Sequence, residues 1–138
     1  MRVQSIQAVL ACALARRGDI AEAAELLPMV LEALVGSMRT EASEHAKCCC
    51  EAARALLRVG GADPRAADLA RRALATWRVV YGADASYTLS AAVLLAAATR
   101  DDVGARDAFA RLRLTLGEAH ARVRLAAEDM NRISLNNN

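Results

Sequence analysis

Apolar residues recur three and four positions apart along almost the whole chain, a spacing that lines them up on one stripe of an α-helix. Ile6, Val9, Leu10, Ala13 and Leu14 form the first stripe, which predicts a helix over 4–17 ended by Gly18-Asp19. Asp19 is placed to cap the next helix, over 20–35, whose inward positions are Leu26, Leu27, Val30, Leu31 and Leu34. Pro28 falls inside it, where a kink is expected, and Gly36-Ser37 stops it. A third helix begins at Thr40 or Ser43 and reaches Val59 before Gly60-Gly61. Asp63-Pro64 offers a cap and a proline at the first helical position for a fourth, which runs to Tyr81 and the Gly82 stop. A fifth starts at Asp84 or Ser86 and runs through Thr99; a sixth, capped by Asp101 or Asp102, ends near Leu116-Gly117. The seventh runs from Glu118 to about Ile133, with Ala119, Val123, Ala126, Met130 and Ile133 on one stripe.

Composition sharpens this picture. Hydrophobic residues make up 55% of the chain but aromatics only 3%, and roughly a quarter of all residues are alanine. Such a core is built from small side chains that let helix backbones approach closely, so the chain is all-α. Gly36, Gly82 and Gly117 mark equivalent places in successive helix pairs, as helical-hairpin repeats require. With 138 residues and no shift in composition, the expectation is a single domain over 1–135 and a disordered tail over 136–138.

One sentence of sequence is written more clearly than its echoes. Gly61 is followed by Ala66, Leu69, Arg72-Ala73-Leu74, Tyr81-Gly82-Ala83-Asp84 and Leu95-Ala96. Gly18 with Ala23 and Leu27 echoes it earlier; Ala105, Phe109 and Leu116-Gly117-Glu118-Ala119-His120 echo it later. On these residues the chain resembles the tetratricopeptide-repeat family, in particular the longer repeat of kinesin light chains and their bacterial relatives. The resemblance implies a right-handed α-solenoid of about three helix-turn-helix repeats plus a C-terminal capping helix. It places Ser5, Cys12, Arg16, Cys48, Glu51, Arg58, Ser90, Val93 and Arg100 on the concave face. The family's asparagine pair, which clamps a bound peptide, is replaced by Val93-Leu94, and by Ala8-Val9 and Glu51-Ala52 in the earlier copies, so no standard clamp is implied. Arg16, Arg58 and Arg100 end the three first helices. They can engage an acidic segment or cap the negative ends of their own helices, and the balance favours capping.

Charge and chemistry narrow the function classes. Eighteen basic against sixteen acidic residues leave a net charge of +2, too small to imply nucleic acid or an anionic membrane. No stretch approaches a membrane span, and Gln4, Ser5 and Gln7 interrupt the short apolar start, which reads as a first helix in preference to a signal peptide. Cys48, Cys49 and Cys50 are consecutive, so they point in different directions from one helix and fit reduced thiols in the cytoplasm. His45, Cys48 and Cys49 share helical spacing, but no second ligand pair accompanies them, and no metal or other cofactor is expected. His120 and Glu118 flank a turn without a nucleophile or phosphate loop, so the chain is not read as an enzyme. Trp77 and Tyr81, four apart, are expected to pair on one helix and pack between consecutive hairpins, where Tyr87 can join them across the Gly82 turn.

The resulting expectation is a non-catalytic protein–protein interaction module, a scaffold or adaptor. It docks a partner's peptide or helix, or a second copy of itself, on a concave face carrying Arg16, Cys48, Glu51, Arg58, Ser90, Val93 and Arg100. Val93, Leu94 and Ala97 are the residues on which a homodimer would rest. The alternative is a regulatory helical tail or subunit of a larger enzyme or transcription regulator.

Overall fold

The computed structural model describes residues 42–60 and 64–137. Earlier in the chain it describes Leu10, Ala13, Leu14, Arg17, Asp19, residues 21–26 and Pro28. Five helices have complete bounds: α1 Ala42–Gly60, α2 Pro64–Tyr81, α3 Ser86–Thr99, α4 Asp102–Leu116 and α5 Ala121–Asn137. Residues 21–26 are helical as well, and the described residues contain no strand. The expected start of the first helix, both expected bounds of the second, the glycine stops at 18 and 36, the Gly61 turn and Arg16 lie outside the described residues. Pro28 is itself helical.

Local chemistry explains where the later helices begin and end. Gly82 and Gly117 adopt φ of +95° and +88°, which a side chain would resist, and each turns the chain at the close of a helix. α3 starts at Ser86, one of its two expected starts. The N-cap is Ala85, which offers no side-chain bond, and the turn is tied instead by Thr88, whose Oγ1 donates to the Gly82 carbonyl at 2.7 Å. Asp84 reaches Arg111 at 3.6 Å. Asp101 caps α4 as expected, accepting from the Gly104 N–H at 3.0 Å. The last helix begins later than Glu118: His120 acts as its cap, with Nδ1 accepting from the Arg122 N–H at 3.0 Å. Its helical backbone continues to Asn137, past the expected end at Ile133.

Consecutive helices pack against one another, α1 on α2, α2 on α3, α3 on α4, and α5 returns onto both α3 and α4. Alanine makes the approach possible. Ala46, Ala52, Ala53 and Ala55 of α1 meet Ala66, Ala70 and Ala73 of α2 in a core that also encloses Leu56, Leu69, Trp77 and Leu94. A second cluster joins Leu89 and Val93 of α3, Ala108 and Leu112 of α4, and Val123 and Ala126 of α5. α3 is the shared element and is buried on most sides, which matches its almost uninterrupted run of small and apolar residues. No helix among the described residues is long and apolar enough to cross a membrane.

Candidate functional site: a groove between α1, α3 and α5

α1 and α5 flank α3, and between them lies a cavity of about 500 Å³. Tyr87 and Ser90 line it from α3, Lys47, Cys50, Glu51 and Arg54 from α1, and Ala121, Arg122, Arg124, Leu125 and Glu128 from α5. Trp77 of α2 and the cap residue His120 complete the lining.

Two of its sides owe their position to aromatic packing. Tyr87 stands 5.1 Å from the Trp77 ring and stacks 5.5 Å from Tyr81, the three-ring group expected around the Gly82 turn. The Arg122 guanidinium lies 4.0 Å from the Tyr87 ring centre and donates to Ser86 Oγ at 3.0 Å, which fixes the start of α5 against the start of α3.

Beside Arg54 and Glu128 the two walls are tied together by charge. Arg54 Nε meets Asp129 Oδ2 at 3.0 Å with both side chains almost wholly enclosed, and Arg54 Nη1 lies 3.7 Å from Glu51. Arg58 Nη2 reaches Glu128 at 3.2 Å and Asp129 at 3.9 Å. Burial pushes the Asp129 carboxyl above the usual carboxylate range while Arg54 pulls it down. Burial also works against the Arg54 charge, but Asp129, Cys50 and Glu51 more than offset it and hold that guanidinium above its ordinary value.

The expected concave-face residues are distributed unevenly around this groove. Glu51 and Ser90 line it. Cys48 and Val93 are enclosed in the two cores, Val93 completely, so neither side chain is open to a partner. Arg58 lies in the last turn of α1, as expected, and does not face outward; the acidic segment it engages belongs to α5 of the same chain. Arg100 is exposed, and it closes α3 through its backbone, at φ +58° with its N–H directed to the Ala96 and Ala97 carbonyls. Leu94 and Ala97 are buried with Val93, so a dimer resting on these three residues would have to displace helices of the same chain.

Two of the thiols of α1 are held protonated. Burial pushes Cys49 to about 11 and Cys50 to about 12, so neither offers a thiolate near neutral pH. His45, whose Nδ1 is buried without a partner, is held below the ordinary imidazole range by burial and by Arg72. Among the described residues no three His, Cys, Asp or Glu side chains come together as a metal would require.

Arg54, Asp129, Arg122 and Arg124 were not among the expected site residues. Asp129 follows Ala126 by three positions, on the edge of the apolar stripe of α5, and that placement is the one signal that could have shown it facing the fold. No protein-family model, curated protein or solved structure matches the chain.

Proposed function

We propose that the chain is a non-catalytic binding module, a stack of helical hairpins that receives part of another molecule in the groove between α1, α3 and α5. The observation that carries this reading is the coincidence of the cavity with Glu51 and Ser90, two of the residues that the repeat pattern assigns to the concave face. The nearest-neighbour packing of consecutive helices supports a short solenoid of the tetratricopeptide kind, with α5 in the place of the capping helix. Three free thiols side by side, all buried, fit a cytoplasmic scaffold. A second reading, a helical subunit of a larger assembly, is favoured by the exposed Val79, Val80 and Tyr81 at the end of α2.

The test is capture from the native host with the intact chain and with Ala121→Trp, which fills the groove and leaves the ion pairs untouched. A protein retained by the first and lost with the second, at equal helicity by circular dichroism, supports the groove as the binding site. A partner held equally by both moves the contact to another surface.

A further inference from the structure

The groove carries basic charge that no carboxylate among the described residues pairs with, although Arg122 is already held against Tyr87 and Ser86. Lys47, Arg122 and Arg124 line it, and no carboxylate among the described residues forms an ion pair with any of them. The carboxylates that do line it, Glu51 and Glu128, are already engaged by Arg54 and Arg58. Ser90 also lines it; the residue is only 4% exposed, and its Oγ is buried without a hydrogen-bond partner. Such an atom carries a desolvation penalty that a bound acceptor would remove.

From these features we infer that the groove binds a compact organic anion, a flat apolar body bearing a carboxylate or a phosphate. The inference rests on the groove being the binding site. Its volume of about 500 Å³ falls within the range of small-molecule pockets. Trp77, Tyr87 and Leu125 supply apolar surface for the body, while Lys47 and Arg124 supply charge-assisted donors for the acidic group. The bridge from Arg54 to Asp129 and from Arg58 to Glu128 joins the walls, so an extended peptide running lengthwise would meet a buried ion pair that is costly to open. A compact ligand leaves the bridge closed.

Trp77 is the only tryptophan in the chain and lines the cavity, so its fluorescence reports on occupancy. The probes are phenyl phosphate, inorganic phosphate and benzyl alcohol, titrated into the full chain. Phenyl phosphate is expected to give a saturable change with Kd below about 1 mM, with inorganic phosphate at least about tenfold weaker and benzyl alcohol without effect. Lys47→Gln, an exposed residue without an ion-pair partner, should weaken phenyl phosphate about two- to fivefold. Ser90→Ala should weaken it about three- to tenfold with the melting temperature unchanged or raised, because it deletes an unpaired buried hydroxyl. No saturable change up to about 10 mM, equal binding of benzyl alcohol, or full affinity in both variants would each overturn the inference. If the anions fail while Ala121→Trp still abolishes capture of a protein partner, the binding-module reading stands and the ligand class is wrong. If both fail, the groove is not a site.

Discussion

Asp129 carries a carboxylate into a place where only 2% of the residue is exposed, and the Arg54 guanidinium beside it is almost as enclosed. Removing one partner of a buried pair strands the other, so Arg54→Met or Asp129→Leu alone is expected to lower unfolding free energy by about 3–5 kcal/mol in urea. The double variant should lose less than either single one, because the two enclosed charges leave together, Glu51, which loses Arg54, is partly exposed, and Arg58 still has Glu128. A double variant as unstable as the sum of the singles would mean that the two side chains act independently. The thiols of α1 make a second prediction, with a sign fixed by linkage. Burial raises Cys49 from 9.0 to about 11 and Cys50 from 9.0 to about 12. Their contribution to stability is therefore complete below pH 9 and drains away as pH rises through 11 and 12. Thermal melts at pH 8 and pH 10.5 should differ more for the native chain than for Cys49→Ala/Cys50→Ala, and an equal drop in both would remove the thiols from the account.

The α3–α4 junction concentrates three backbone devices in five residues. Arg100 occupies the left-handed region at φ +58°, where a β-carbon is a liability, so Arg100→Gly should stabilise the chain by about 0.5–1 kcal/mol. Asp101→Ala removes the cap of α4 and should cost about 1 kcal/mol. Gly104 shows how local context overrides propensity. Alanine is worth about 1 kcal/mol over glycine inside a helix, yet a β-carbon at 104 would collide with the Asp101 carboxylate that caps the same helix. Gly104→Ala should thus bring no gain in denaturant midpoint, and a full gain would show that the cap is dispensable. At this junction the cap was legible as Asp101 or Asp102, because an aspartate cap acts within one turn, whereas the left-handed Arg100 and the close approach at Gly104 were not. Nor was the start of α5. Glu118 resembled a helix start, whereas the imidazole of His120 takes the capping bond and sets the first helical residue at Ala121. Least legible was the Arg54–Asp129 pair, which joins residues 75 apart and exists only because α5 folds back over α3. Arg58 shows the same limit: its sequence position suggested capping, and the partner that decided its role lies on a helix 70 residues away.

At the scale of the molecule, α5 is a closing element and not an appendage. It contributes Val123 and Ala126 to the cluster that encloses Leu89, Val93 and Leu112, and it brings Asp129 and Glu128 to the two arginines of α1. It also forms one wall of the groove, so site and closure are the same helix. Ending the chain after Gly117 would uncover an apolar face on α3 and α4 and leave Arg54 without its Asp129 partner. The shortened chain is expected to bind a hydrophobic dye, to melt less cooperatively and to show a larger mass by light scattering than the full chain at the same concentration. Self-association would then use Val93 and its neighbours, the surface that α5 covers in the intact molecule. Adding back a synthetic peptide of residues 118–138 should reverse the dye binding, and an Asp129→Asn version should do so more weakly, since it lacks the charge that Arg54 is held to meet. Identical mass, dye response and melting for the full and shortened chains would show instead that the core of α1–α4 is complete in itself and that α5 serves the groove alone.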